Sequence, residues 1–310
     1  MTKEERALAR IIFHKKVLAS DGQAYEDLFV AIMQKACKKF RPVKPQGTLG
    51  DRKNDGYDPT TGHYYQVFAP EDMAKSKAAA VAKLKADFAG LMAYWNGIHP
   101  VQRFSFVFND KFKGSYPTIE SDLAEIGKRN SLEGCDVFLA KNLEDVLFSL
   151  SDDEILAITG FVPDPDKITD IDYSVLNDVI AHIRSNKRPI DRSTVLAAPN
   201  FDAKIKFNGL SEQVAHLLNS ASYQVGAIDQ YFSLNSEYAK QEIRDHLASI
   251  YTSIRALYDT NIGTDVSLPD VVFFEMLGEL AGNSSESAQS AALVVMAYFF
   301  EACDIFERPQ

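Results

Sequence analysis

The feature that most constrains this chain is a change of pattern near residue 160. Before it, short runs of aromatic and β-branched residues alternate with stretches of helical spacing, which is typical of a mixed domain. After it, nearly every apolar run has the spacing of a helix. The segment between them, from Gly160 to Asp172, is rich in Pro and Asp and is typical of a linker. We therefore predict an α/β domain over residues 1–160 and an all-α domain over residues 170–310.

The first domain is predicted to combine helices and strands in one mixed sheet. Helical spacing predicts helices over residues 3–19, 21–39, 70–96 and 118–130 and from residue 142 onward. Aromatic and β-branched runs predict strands over residues 63–69, 102–109 and 135–140. The turn-forming residues from Asp58 to Gly62 predict a hairpin between the extended segment 43–58 and the first of these strands.

The second domain is predicted to be a helical bundle. Its expected helices cover residues 173–187, 210–232, 236–258, 267–282 and 285–307. The longest apolar run, Ala291 to Phe300, is about half the length that spans a bilayer and is followed by Glu301. We therefore expect no membrane segment.

The net charge of −10 is divided unevenly between the two halves. Residues 1–150 hold 22 Lys and Arg against 19 Asp and Glu, and residues 151–310 hold 11 against 24. Any contact with a polyanion is therefore expected in the first half. Its most basic stretch, Lys35 to Lys53, is either a solvated loop or a surface for phosphates. The residues that we expect to contact phosphates are Lys38, Lys39, Arg41, Lys44 and Arg52.

The cysteines and the N-terminus predict a cytoplasmic protein. Cys37, Cys135 and Cys303 are odd in number and far apart, which fits neither a disulfide framework nor a zinc site. The first residues carry mixed charge and no cleavable apolar core. The sequence also lacks the G-x-x-x-x-G-K-[ST] phosphate loop, so the chain is not expected to be an ATPase itself.

Three polar pieces of the first domain occur in an informative order. Glu26 lies on the second predicted helix, Asp55 ends the extended segment, and Gln66 lies on the strand that follows. A short hairpin would bring the last two, which are about ten residues apart, into one site. Phosphodiester hydrolysis uses divalent ions held by oxygen ligands, and these side chains are able to supply such ligands.

This arrangement resembles nucleases of the PD-(D/E)xK superfamily, especially the Mrr-like branch, over about residues 20–140. There, a helix with G-x-x-[FY]-E precedes G-D-x-x-x-D-G and then Q-x-K on the next strand. The resemblance implies a restriction-endonuclease-like fold and a DNA endonuclease that uses Mg²⁺ or Mn²⁺. It implies that Asp55 and Gln66 hold the metal and that Glu26 completes the site, directly or through water.

One position departs from that pattern, because the expected lysine is Phe68. Side chains at i and i+2 of a strand point the same way, so Phe68 takes the place of the residue that orients the attacking water. Lys53 is the predicted substitute, since in an extended segment it would share the face of Asp55. Lys75 and Lys77, on the following helix, are alternatives.

Each of these residues also has a structural interpretation. Glu26 fits a solvent-facing position on its helix, and Asp51 and Asp55 fit turns in which Asp caps the backbone. Asp51 is also an alternative to Asp55 as metal ligand. Gln66 lies between Tyr65 and Val67 and is expected to be buried and hydrogen-bonded. Of the six histidines, His63 is the only one expected near the site.

The C-terminal half carries a second resemblance. Its ending, Met296 to Glu307, together with the opening of the chain and the central PQGTLGDRKNDGYD segment, is similar to effector subunits of ABC-type three-component conflict systems. The resemblance implies phage or plasmid defence, an ABC/SMC-like ATPase and a small middle component as partners, and DNA as target. A homodimer through the C-terminal helices is also expected, by analogy with nucleases that cut both strands.

The sequence therefore suggests three alternative functions. The first is a divalent-metal-dependent DNA endonuclease that acts as the effector of such a complex. The second is a catalytically inactive nuclease fold that is kept as a scaffold or DNA-binding module. The third is an adaptor that uses both halves for protein contact. Phe68 favours the second and third, whereas the set of Glu26, Asp55 and Gln66 favours the first.

Overall fold

In the computed structural model, the chain divides into two compact units. The structure describes residues 1–71, 77–160, 162–163, 173–185, 201–234, 237–258, 266–282, 285–302 and 305–309. One unit comprises Met1–Lys15, Thr159–Thr260 and Val266–Gln310, and the other comprises Lys16–Ile158 and Asn261–Asp265. Most of the expected linker, residues 160–172, lies outside the described residues.

The first fifteen residues belong to the helical unit, unlike the predicted division at residue 160. Helix α1 (Lys3–Ala19) begins in that unit, and its last residues belong to the α/β unit. Lys15 Nζ donates to the carbonyl of Phe274 at 3.2 Å and lies 3.3 Å from Glu275 Oε2. These contacts join residues far apart in sequence, so a reading of local spacing was unable to find them.

The α/β unit contains helices on both faces of a five-stranded sheet. After α1, its elements are α2 (Gly22–Ala36), β1 (Arg41–Pro42), β2 (Gly56–Asp58), β3 (His63–Phe68), α3 (Lys77–Trp95), β4 (Arg103–Phe108), α4 (Pro117–Asn130), β5 (Gly134–Leu139), α5 (Ala140–Leu147) and α6 (Asp152–Thr159). The predicted mixed α/β class and the predicted hairpin are therefore confirmed. The predicted start of α3 falls partly on residues 72–76, which lie outside the described residues.

The sheet has the order β1-β2-β3-β4-β5. The first three strands form an antiparallel meander, with Gly56 opposite Tyr65 and Asp58 opposite His63. The last three are parallel, with Gln66 beside Phe106. Parallel neighbours need a crossover, and helices α3 and α4 supply the two crossovers. This order places the residues that follow β1 and precede β2 beside the carboxyl end of β3.

One face of the sheet packs against α3 and α4. Tyr64, Phe104, Phe106 and Phe108 are buried there, together with apolar residues of both helices. Phe68 belongs to this cluster, and its ring stacks on Phe106 and Phe108 with centroid distances of 6.0 Å. The aromatic side chains therefore fix α3 over the half of the sheet that carries Gln66.

Helix α2 covers the opposite face. Its Phe29 packs on Tyr65, Phe40 and Phe138, with ring centroids 5.5 to 6.0 Å apart. The helix ends at Ala36 and not, as predicted, near Lys39, because the backbone is extended at Cys37 (φ −124°, ψ 104°). This early end lets Phe40 turn inward, where it is buried. The N–H of Gly22 donates to the carbonyl of Ala69 at 2.7 Å, so α2 begins beside the carboxyl end of β3.

The helical unit is confirmed as mostly helical. Its further helices are α7 (Tyr173–Ser185), α8 (Phe201–Phe207), α9 (Glu212–Ser222), α10 (Val225–Leu234), α11 (Glu237–Leu257), α12 (Leu268–Ala281) and α13 (Glu286–Glu301). The helix predicted over residues 210–232 is two helices, because the chain turns at Tyr223 and Gln224. Helix α13 ends earlier than predicted, since Phe306 folds back onto Tyr251 and Phe300.

Helix α13 is the centre of this unit. Its residues from Ala291 to Phe300 are all buried, and it contacts α7, α9, α10 and α12. The long apolar run near the C-terminus is therefore a core helix. Among the described residues, no helix has the length and hydropathy that a membrane span requires.

Candidate functional site

The carboxylate of Asp55 and the amide of Gln66 form a buried pair at the carboxyl end of β3. They are 3% and 4% exposed. Gln66 Nε2 donates to Asp55 Oδ2 at 2.8 Å, and the backbone N–H of Val67 donates to the same oxygen at 2.5 Å. Asp55 is also held by its own backbone N–H, which donates to the carbonyl of Tyr65. The hairpin thus brings together the two residues that the sequence paired.

One buried oxygen atom of this pair lacks a hydrogen-bond partner within the described residues. An ionised carboxylate only accepts hydrogen bonds, so Gln66 presents Nε2 to Asp55 and leaves its own Oε1 buried without a partner. A buried acceptor that stays unpaired costs about 1–3 kcal/mol, so an ion, a water molecule or a ligand is expected there.

Negative charge accumulates around this pair. Burial, with the charges of Glu26 and Asp51, raises the pKa of Asp55 to about 7, against the opposing effects of the Val67 hydrogen bond and the charge of Lys83. Burial also raises the pKa of Glu26, with added contributions from Asp27 and Asp51. Glu26 reaches this end of the sheet from the first turns of α2. The arrangement therefore disfavours three ionised carboxylates unless a cation lies among them.

The donor set fits a hard divalent cation only in part. Carboxylate and amide oxygens are ligands that Mg²⁺ and Mn²⁺ accept. Within the described stretches of chain, however, no three His, Cys, Asp or Glu side chains form a group that could hold a metal ion. A cation at Asp55 would therefore depend on the Gln66 amide, with Glu26 and Asp51 contributing charge from farther away.

Lys53 does not lie as the sequence predicted. Its backbone is left-handed (φ 64°), as is that of Arg52 (φ 56°), whereas the prediction required an extended segment. Its Nζ lies 3.0 Å from Asp87 Oδ1 on α3. The hydrogen bond and charge of Asp87 raise the pKa of Lys53, so this side chain is a cation. Two such residues in succession cost roughly 1–2 kcal/mol each, which the contacts of the loop with α3 offset.

A second lysine, Lys83 on α3, was missed by the sequence analysis. It pairs with the other oxygen of Asp87, whose side chain is 3% exposed, and its charge lowers the pKa of both Asp55 and Glu26. Nothing in the local sequence pairs Lys83 with β3. Of the alternatives considered, Lys75 and the side chain of Lys77 lie outside the described residues. Phe68, in the place of the expected lysine, is part of the core.

His63 faces away from this site, contrary to expectation. It lies an odd number of residues from Gln66 on the same strand, so its side chain points to the opposite face. There its Nε2 lies 2.8 Å from Ser105 Oγ, which donates to Asp136 Oδ1 at 2.6 Å, and its Nδ1 lies 3.0 Å from Tyr65 Oη. Burial, with the charge of Arg103, lowers the pKa of His63 to about 4.

The basic residues expected to contact phosphates lie on and beside several elements of the α/β unit. All five side chains are exposed. Lys38 and Lys39 follow the C-terminal end of α2, about 15 Å along that helix from Glu26. Arg41 lies on the edge strand β1, and Lys44 follows it. Arg52 lies against α3, with its guanidinium carbon 5.2 Å from the centre of the Tyr94 ring. Of these five, Arg52 is the one whose position the structure ties to α3.

The helical unit carries the observation that bears on family. Residues 174–307 match the model of C-terminal domain 10 (CTD10) of the ABC-three component (ABC-3C) systems. The match runs from the start of α7 to the residues that follow α13, so the resemblance expected for the C-terminal half is confirmed. The PD-(D/E)xK resemblance of the first half stays a prediction.

The other comparisons add no relative. No curated protein and no solved structure matches this chain. The CTD10 match therefore assigns the helical half to a domain of these systems, while the α/β unit is interpreted from its own residues.

Proposed function

We propose that the α/β unit is a divalent-metal-dependent DNA endonuclease and that the CTD10 unit joins it to the other components of an ABC-three component system. The observation that carries the first part is the buried pair of Asp55 and Gln66, in which Oε1 of Gln66 is buried without a partner. The acidic surroundings of Glu26 and Asp51 support it, because a divalent cation would relieve their repulsion.

The residues have distinct roles in this proposal. Asp55 and Gln66 hold the cation, and Glu26 completes its surroundings through water. The bound ion, Mg²⁺ or Mn²⁺, supplies charge neutralisation and an acidified water. Lys53, with Lys83 as the residue revealed by the fold, supplies the positive charge near Asp55 that the family pattern takes from its lysine.

The topology supports this proposal independently of the site. Helix α2, which carries Glu26, is followed by the meander. There, Asp55 directly precedes β2, and Gln66 lies on β3. The resemblance to PD-(D/E)xK nucleases requires this order of helix, hairpin and strand. A restriction-endonuclease-like fold is therefore our interpretation of the α/β unit.

The role in a larger complex rests on the CTD10 match. We propose an ABC/SMC-like ATPase and a small middle component as partners, with defence against phage or plasmids as the biological role. Residues 151–310 hold 11 basic against 24 acidic residues, so this half suits contact with protein and disfavours contact with DNA. A homodimer through its helices remains part of the proposal.

A second candidate is an inactive nuclease fold that serves as a scaffold or DNA-binding adaptor in the same kind of complex. Two observations favour it. Phe68 is packed in the core where the family has its lysine, and the described residues hold no three-membered His, Cys, Asp or Glu group at Asp55. In this second candidate function, the α/β unit contacts phosphates but does not hydrolyse them.

Cleavage of supercoiled plasmid with Mg²⁺ or Mn²⁺ tests the proposal, with and without the ATPase partner. Asp55→Ala and Gln66→Ala are compared with the wild type. Asp58→Ala is the matched control, since Asp58 lies on the same hairpin but bonds its own turn at Thr60. Nicking that disappears in the first two variants and persists in the control supports the nuclease. DNA binding without metal-dependent cleavage in any condition supports the inactive scaffold.

A further inference from the structure

Helix α3 presents one stripe of side chains to the loop that precedes Asp55. Lys83, Asp87, Gly90 and Tyr94 are spaced three or four residues apart, so they lie along one side of the helix. The stripe is about 16 Å long, from the helical rise per residue. This length matches the rise of about five nucleotides of one strand in B-form DNA.

The loop lies on this stripe through two successive cations. Lys53 Nζ lies 3.0 Å from Asp87 Oδ1, and a Cβ on Gly90 would come 3.0 Å from Lys53 Cγ. Arg52 lies over the Tyr94 ring at 5.2 Å. Left-handed backbone at both residues turns the two side chains toward α3. Gly90 therefore leaves the space that allows the loop to lie close to the helix.

The result is a row of positive groups that ends on an aromatic ring. Arg52, Lys53 and Lys83 supply three cations; Asp87 pairs with both lysines, and the charges of Asp51 and Asp55 also act on Lys53. Arg52 makes no ion pair with any residue in the described parts of the chain. Tyr94 is 36% exposed, and its ring packs against Trp95 at a centroid distance of 5.4 Å. If Arg52 leaves the ring for a phosphate, the ring face that it covers becomes free for a nucleobase to stack on.

We propose that this stripe binds a nucleic-acid strand, with Arg52 at a phosphate and Tyr94 stacked on an unpaired base. The inference rests on the proposed function, because it deepens the choice of substrate at the Asp55 site. A base can stack on a protein ring only when one of its faces is free. The substrate class is therefore DNA with an unpaired segment, such as a single strand or a flap, in preference to an intact duplex.

The position of Arg52 has a structural explanation too, namely that it holds the loop. The loop is already held without it, because Lys53 is bound to Asp87 and the backbone N–H of Lys53 donates to Asp51 Oδ1 at 2.7 Å. The Arg52–Tyr94 contact is thus an additional contact at the exposed end of the stripe. Arg52 lies near the proposed cleavage site, where the phosphates of the substrate carry the opposite charge.

The test is the affinity of the full chain for a fluorescein-labelled single-stranded oligonucleotide and for the duplex of the same sequence, measured by anisotropy in EDTA. Chelation prevents cleavage and removes any metal contribution. We expect Tyr94→Leu to weaken single-strand binding by about tenfold and to leave duplex binding unchanged. Tyr94→Trp should retain the affinity. Tyr223→Leu is the matched control, since Tyr223 is an 87% exposed tyrosine of the helical unit.

Thermal unfolding of each variant shows whether Tyr94→Leu is folded. If Tyr94→Leu is destabilised, retained single-strand affinity of Tyr94→Trp still tests the stacking. Equal single-strand affinity of Tyr94→Leu and the wild type would overturn the inference, as would equal losses for single strand and duplex. Wild type that binds no single strand would also overturn it. Plasmid cleavage tests the proposed function separately. If Tyr94→Leu weakens single-strand binding but the wild type cleaves no plasmid, the binding surface is supported and the proposed nuclease activity is refuted.

Discussion

Replacing Asp55 with Asn should stabilise the protein at neutral and alkaline pH while it removes the proposed metal site. Burial raises the pKa of Asp55 from 3.8 to about 7, with Glu26 and Asp51 adding repulsion. The folded protein therefore holds the Asp55 proton more tightly than the unfolded chain does. The free energy of unfolding consequently falls as the pH rises from about 4 to 7, and the full penalty applies above pH 7.

The structure sets the size of this effect. A pKa displaced by about three pH units corresponds to about 4 kcal/mol between the two protonation states. Relaxation around the charge and the nearby Lys83 reduce the penalty, so we expect Asp55→Asn to gain about 1–3 kcal/mol at pH 8. An Asn at this position is able to accept from Val67 and to donate to the unpaired Oε1 of Gln66.

Thermal unfolding in EDTA measures the gain. At about 2–4 °C per kcal/mol, the midpoint of Asp55→Asn should rise by about 2–12 °C at pH 8. The difference should fall to about half at pH 5.5. Added Mn²⁺ should raise the midpoint of the wild type and leave that of Asp55→Asn unchanged, since only a protein that binds the ion gains from it.

Asp58→Asn provides a control of opposite sign. Burial is outweighed there by the hydrogen bonds from Thr60, which hold the pKa of Asp58 below its ordinary value. Its ionised form therefore stabilises the fold above about pH 4, and its replacement should lower the midpoint slightly at pH 8. Destabilisation by Asp55→Asn at pH 8, or a gain that is the same at pH 5.5 and pH 8, would refute the reasoning about Asp55.

Three further predictions concern packing. Gly90→Ala should raise helix propensity but displace Lys53. Its unfolding midpoint should therefore rise less than that of Gly226→Ala, whose added methyl meets no atom within 4 Å and which should gain about 1 kcal/mol. Equal gains would contradict the close approach of Lys53 to Gly90. Lys204→Met should lower the free energy of unfolding in urea by about 2–4 kcal/mol, because the buried Nζ donates to the carbonyls of Phe300 (2.8 Å) and Ile305 (2.5 Å). An unchanged midpoint would show that water replaces the ammonium group at these carbonyls. Ser285→Ala should cost about 1 kcal/mol by the same assay, since Ser285 Oγ caps α13 at the N–H of Ala288, and Ser285→Asp should restore it.

Much of the fold could be predicted because helix and strand patterns are local. The spacing of apolar residues located α1, α4, the end of α3, the start of α5 and the strands β3 to β5 within a few residues. The turn residues from Asp58 to Gly62 predicted the hairpin that brings Asp55 to Gln66. The order of polar residues then identified a buried pair, since the turn type and loop length fix the register of a hairpin.

The errors of the sequence analysis lie where distant segments meet. Local spacing was unable to show that α1 begins in the helical unit, whereas the alternation of side chains along β3 by itself places His63 on the face opposite Gln66. The sequence analysis also placed Lys53 on an extended segment, whereas contact with Asp87 and Gly90 holds it in the left-handed region. Lys83 joined the site only because α3 crosses over the sheet at that point.

The sequence by itself thus determined the two-part organisation, the hairpin and the identity of the polar pair. The tertiary structure alone decided which charges surround that pair, the displaced pKa of Asp55, and the placement of Arg52 against Tyr94. The physical reason is range. Helix and strand formation depend on neighbours a few residues away, whereas the burial of a carboxylate and the position of its counter-charges depend on segments that fold together from distant parts of the chain.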